Sequence, residues 1–78
     1  RVAMKGLLEY LARQLVDCPD QVEVRELQGE RSTILELRVA PEDMGKVIGR
    51  QGKTAQAIRT LVKAAGTREG KRVMVEII

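Results

Sequence analysis

The spacing of apolar residues changes three times along this chain, and that rhythm limits its folds more than any other feature. From Met4 to Val16 the apolar positions Met4, Leu7, Leu8, Leu11, Ala12, Leu15 and Val16 recur at intervals of three and four, which marks a helix with one buried face. Cys18-Pro19-Asp20 stops it, because proline cannot continue a helix and the residue before proline avoids helical dihedrals. Val22, Val24 and Leu27 then start a roughly alternating run through Gln28, and Gly29-Glu30-Arg31-Ser32 reads as a turn. Ile34-Leu35-Glu36-Leu37-Arg38-Val39 follows, richer in branched residues and expected to be the more buried strand of a hairpin.

The second half repeats the change of rhythm. Ala40-Pro41-Glu42-Asp43 has helix-start chemistry, with a proline suited to the first turn and two carboxylates facing the positive end of the helix dipole. Gly49 limits that helix to about two turns. Ala55, Ile58, Leu61, Val62 and Ala65 line the apolar side of a third helix, expected from Lys53 to about Ala65 and ended by Gly66. After a turn at Gly70, Val73, Val75 and Ile77 alternate in a last strand. The order is α-β-β-α-α-β, an α+β chain. The long segment between the second and third strands permits a parallel crossover, giving a three-stranded mixed sheet with three helices packed on one face. The other face is left to solvent or to a partner.

Seventy-eight residues make one small domain, expected over residues 4–78, with Arg1-Val2-Ala3 as upstream or vector-derived residues. Cys18 is the only cysteine and there is no histidine, so neither a disulfide, nor a metal site, nor the usual general base is available. No catalysis and no cofactor is expected. No apolar run approaches the ~20 residues of a bilayer span, and no export signal is recognisable at the start. A lone thiol fits a reducing compartment, so a cytoplasmic protein is expected. Net charge is +3, unevenly spread: residues 1–43 hold six Lys/Arg against nine Asp/Glu, whereas residues 44–78 hold eight against two. A solvated basic face explains that as well as a polyanion partner does.

The stretch Met44-Gly45-Lys46-Val47-Ile48-Gly49-Arg50-Gln51-Gly52-Lys53-Thr54 bears on the choice. It ends in Gly-Lys-Thr, as a nucleotide-binding loop does. That loop needs a glycine five residues before Gly52, where Val47 stands, and it follows a strand rather than a short helix. The reading fails. Gly49-Arg50-Gln51-Gly52 between two helices has another logic. Gly49 can take up the dihedrals that end a helix, and Gly52 has no side chain to hold a ligand backbone off. The next helix begins at once, presenting unpaired N–H groups and a positive dipole end, with Lys46, Arg50 and Lys53 around it. Such a place suits consecutive phosphates, although a bare G-x-x-G is also common in ligand-free turns.

In this element order, V-I-G-R-Q-G-K resembles the loop of the K-homology (KH) domain in its type II, prokaryotic arrangement. The run from Leu37 to Ala65 resembles the bacterial stand-alone KH proteins of the KhpA type, and the likeness spans Met4 to Ile78. In KH domains the G-x-x-G loop clamps the backbone of about four nucleotides of single-stranded nucleic acid. The resemblance implies a clamp at Gly49, Arg50, Gln51 and Gly52, flanked by Lys46 to Ile48 and by Lys53 and Thr54. It also implies an apolar groove drawn from Val47, Ile48 and Ala57, with Lys71 and Arg72 at the opposite rim. Burial is the default for Val47 and Ile48, one of which is expected to line the groove. Tyr10 is the only aromatic residue, so base-stacking platforms are absent. Weak single-stranded RNA binding with little sequence preference follows. The resemblance further implies an RNA chaperone or post-transcriptional regulator, and pairing with a second copy or with another KH-containing protein for avidity. Two other readings stay open: a helix-turn-helix-like duplex DNA binder, and a protein-interaction module that has lost nucleic-acid binding.

Overall fold

The structure, a computed structural model, describes residues 3–78. The expectation for Arg1 and Val2 lies outside the described residues. Helix α1 spans Met4–Leu15, and Val16 already has extended dihedrals. A 3-10 turn at Pro19–Gln21 leads into strand β1, Glu23–Gln28. Strand β2, Thr33–Arg38, pairs with it antiparallel, and the Gly29 N–H donates to the Ser32 carbonyl at 2.8 Å to close the hairpin. Another 3-10 turn, Pro41–Asp43, precedes helix α2, Met44–Ile48. Helix α3 spans Lys53–Arg68, and strand β3, Val73–Ile77, lies parallel to β2. The sheet order is β1-β2-β3, so β2, the more buried strand of the hairpin, is central.

Alternation decides which residues meet the helices. In register across the sheet, Val24 faces Leu37 and Leu37 faces Ile77, while Leu35 faces Val75. Leu35 and Leu37 are fully enclosed beneath Leu8 and Ala12 of α1, Val47 of α2 and Ile58 and Val62 of α3. Burying each large aliphatic side chain stabilises the fold by ~1.5–3 kcal/mol. The opposite face carries the row Arg25, Glu36 and Glu76 beside the row Leu27, Ile34 and Met74. Leu27 and Met74 are exposed there.

Two local expectations are corrected. Helix α3 does not end at Gly66 but continues to Arg68. Gly66 is buried inside it, where an added Cβ would lie 2.7 Å from Cγ2 of Val73 and 3.3 Å from the Lys71 carbonyl. Its lack of a side chain lets α3 close on β3. Its carbonyl then accepts the N–H groups of Glu69 at 3.0 Å and Lys71 at 2.8 Å, which turns the chain. The second correction concerns Asp43. Rather than facing the dipole of its own helix, it is fully buried, and its carboxylate accepts the N–H groups of Asp17 (3.2 Å) and Cys18 (3.0 Å). A buried carboxylate needs such partners. The end of α1 is thereby tied to the start of α2.

Candidate nucleic-acid interface

Three residues of positive φ within four positions shape the loop between α2 and α3. Gly49 has φ 78° and ψ 173°, Gln51 has φ 56° and ψ 27°, and Gly52 has φ 75° and ψ 11°. The two glycines are there for different reasons. A Cβ at Gly49 would collide with Thr54, coming within 2.6 Å of its Cβ and 2.9 Å of its backbone nitrogen. At Gly52 nothing lies within 4 Å of the added atom, so the requirement is the left-handed backbone alone and the surface above it is open. Gln51 occupies the left-handed region without a glycine's freedom, a conformation uncommon for such a residue. The Gly52 N–H donates to the Gly49 carbonyl at 3.1 Å, which keeps the loop tight.

Helix α3 starts directly from this loop. No side chain caps its N-terminus and no acidic residue sits in its first turn, so the positive end of a 16-residue helix is left to solvent. Arg50 and Lys53 stand exposed beside it, and neither is in an ion pair among the described residues. Lys46 is different. Its ammonium lies 3.1 Å from the Asp17 carboxylate and 3.6 Å from that of Asp43. Hydrogen bonding to Asp17 and the charges of Asp17 and Asp43 push its pKa up against some desolvation. For Asp43, desolvation pushes the pKa up, but the Asp17 and Cys18 N–H groups and Lys46 outweigh it and hold the carboxyl below its ordinary range. Lys46 therefore closes the α1–α2 tie, and its charge is already balanced.

The remaining sequence-derived residues divide as follows. Val47 is fully enclosed in the core and Ile48 is half-buried, so Ile48 is the one of the pair left beside the loop. Thr54 is half-buried against Gly49, and Ala57 is exposed one helical turn beyond Lys53. Arg72 does lie across from α3. Between α3 and β3 runs a groove of about 530 Å³, lined by Gln56, Arg59, Thr60 and Lys63 on the helix and by Arg72, Val73, Met74 and Val75 on the strand side. Lys71 does not line that groove but an adjoining depression, with Lys63 and Thr67. Arg59 Nε makes a long hydrogen bond, 3.4 Å, to the Val75 carbonyl on the outer edge of β3.

Gln56, Arg59, Thr60 and Lys63 belong to no motif in the sequence. A signal was present: they follow one another at three, one and three, so they form a polar stripe along a single helix face. Glu42 is exposed while Asp43 is buried, so these neighbouring carboxylates do not face a common site. Among the described residues no group of three or more His, Cys, Asp or Glu could hold a metal ion. No described helix is long and apolar enough to cross a membrane.

Comparison with known proteins shows the family of the chain. The sequence model for the family described as "KhpA/KhpB, KH domain" matches residues 5–77. The chain is 68% identical to "RNA-binding protein KhpA" of Clostridium acetobutylicum over 96% of this chain and 100% of that one. It is 65% identical to the protein of the same name from Caldanaerobacter subterraneus, again over 96% and 100%, and 49% identical to that of Aquifex aeolicus over 97% and 96%. Among solved structures, a GDP- and AlF4-bound variant of Era from Aquifex aeolicus superposes with a TM-score of 0.66 over 95% of this chain and 29% of that one. At 16% identity that likeness speaks to the fold alone. The α-β-β-α-α-β order, the mixed sheet and the one-sided helices are those of the type II KH fold. The chain belongs to the KhpA/KhpB family of KH-domain proteins.

Proposed function

We propose that the chain binds single-stranded RNA with little sequence preference, gripping its backbone at Gly49-Arg50-Gln51-Gly52. One observation carries this reading: a tight bend with open space above Gly52 set against the uncapped, positive end of α3. Phosphate oxygens approach the bend because no Cβ holds them off, and the helix end with Arg50 and Lys53 offsets their charge. Ile48, Thr54 and Ala57 border the bend. The strand then runs down α3, its bases in the groove between the polar stripe and β3, with Arg72 at the far rim. The outer edge of β3 offers backbone donors and acceptors to base edges. The name "RNA-binding protein KhpA" borne by the relatives supports RNA as the polymer.

A strand fits this groove better than a duplex does. In a helix-turn-helix the second helix projects into a wide major groove, whereas β3 flanks the polar stripe of α3 here. About four phosphates held on a single strand give a log–log salt slope near −3, without the ~1–3 kcal/mol that each stacked base adds on an aromatic platform. Such binding gains from a second copy or a second KH-containing chain, through effective concentration rather than new contacts. An RNA chaperone or post-transcriptional regulator of the cytoplasm is the role that suits weak, general binding. Exchanging Arg50 and Gln51 together for Asp tests the loop. Both side chains are exposed, and Asp tolerates the left-handed backbone at position 51. The variant should keep its circular dichroism spectrum and lose retention of single-stranded RNA; undiminished retention would remove the clamp.

A further inference from the structure

Arg72 borders three depressions, each sharing lining residues with the next, and the first is the groove described above. The second, of about 370 Å³, lies between Lys63 and Thr67 of α3 and the Gly70–Lys71 turn. The third, of about 310 Å³, lies between that turn and the β1–β2 hairpin loop, where Arg31 stands. The Thr33 N–H donates to the Arg72 carbonyl at 2.8 Å, so hairpin and turn are fixed to one another. Four cations line these two depressions, Arg31, Lys63, Lys71 and Arg72, against the single lining carboxylate of Glu30. None of the four is in an ion pair among the described residues.

Length makes this surface relevant to the strand. From Lys53 to Lys63 α3 rises ~15 Å. Four nucleotides at the spacing of a stacked strand cover roughly 10–14 Å, so a strand gripped at the loop has used its four near Lys63. We propose that the basic surface formed by Lys63, Lys71, Arg72 and Arg31 is a second phosphate-binding stretch for the same RNA strand, extending the footprint beyond the four-nucleotide clamp. The inference rests on the RNA-binding reading above. Continuity with the groove and the excess of unpaired cations favour the same strand over a separate acidic protein segment.

The test is the salt dependence of binding for a four-nucleotide and a ten-nucleotide oligouridylate, measured with the full chain and with the Arg31→Gln/Lys71→Gln double variant. A longer oligonucleotide offers more registers and so binds more tightly for that reason alone, but registers leave the salt slope unchanged. Each phosphate contact adds about 0.7 to the slope on a single strand. The expected result is a ten-nucleotide slope that falls by ~1.4 in the double variant, while the two proteins share one slope on the four-nucleotide probe. Equal slopes for the two proteins on the longer probe would overturn the extended footprint, and would leave the surface to an acidic partner. Failure of both probes to bind the unmodified chain would instead remove the RNA-binding reading itself.

Discussion

Gly49 and Gly52 carry different expectations in the sequence, one ending a helix and the other leaving the surface bare, but only the structure ranks what each contributes to stability. Replacing Gly49 by Ala forces a left-handed backbone on a residue with a side chain and drives its Cβ into Thr54, 2.9 Å from the backbone nitrogen. The two penalties together should cost ~2–4 kcal/mol. Gly52→Ala meets no neighbour within 4 Å and should cost only ~1 kcal/mol. Urea denaturation would measure both. RNA binding should rank the other way per unit of stability lost, since the Gly52 Cβ projects into the space assigned to the strand. Sequence alone could not rank these glycines, because the collision at Gly49 depends on where Thr54 folds back. Val47 and Ile48 pose the same difficulty: adjacent, equally apolar, and told apart only by which side of a five-residue helix faces the core.

At the level of elements, two glycines of helices make opposite predictions. Gly6 lies in α1 with nothing within 4 Å of an added Cβ, so Gly6→Ala should stabilise the fold by ~0.5–1 kcal/mol. Gly66→Ala would overpack the contact with Val73 and should destabilise by ~1–3 kcal/mol despite the better helix propensity of alanine. Thermal denaturation of the two variants gives shifts of opposite sign. A glycine that ends a helix and one that lets a strand approach it leave the same letter in the sequence, which is why the pattern alone ends α3 too early. The same holds for Asp43, since an acidic first turn and a buried tertiary acceptor read alike. The tie that Asp43 makes has a pH signature. Its folded-state pKa lies below the ordinary value near 3.8, so its contribution is complete above that value and is lost as pH falls through the lower folded one. Lys46 is the converse, contributing fully below its ordinary value near 10.5 and losing that contribution as pH rises through the raised folded one. Asp43→Asn should therefore flatten the acid limb of a urea-midpoint curve below pH ~4. It should leave the alkaline limb governed by Lys46 with Asp17. The Cys18 thiol is pushed up by burial and then by Asp43, Glu42 and Asp17, so at neutral pH it should react with thiol reagents more slowly than in the urea-unfolded chain.

Across the whole molecule, the charge asymmetry noted in the sequence becomes a path. The basic second half forms α3, the loop before it and the turn after it, while the acidic first half supplies α1 and two of the three strands of the open sheet face. The fold was legible because each change of apolar spacing falls between elements, and because the central strand has both neighbours and a covered face. The groove was less legible: its two walls, α3 and β3, are brought together by the crossover and by the glycine at position 66, which no local pattern announces. Lys53→Gln should weaken binding of single-stranded RNA and make the salt slope shallower by about 0.7, whereas Lys46→Gln should lower stability and leave the slope unchanged. The central claim, that the bend between α2 and α3 holds the strand, is tested most directly by amide chemical shifts during titration with a four-nucleotide oligouridylate. The account predicts saturating shifts at residues 49–54 and along the Gln56–Lys63 face of α3. Silence at residues 49–54, with shifts confined to the open sheet face around Leu27, Ile34 and Met74, would contradict it.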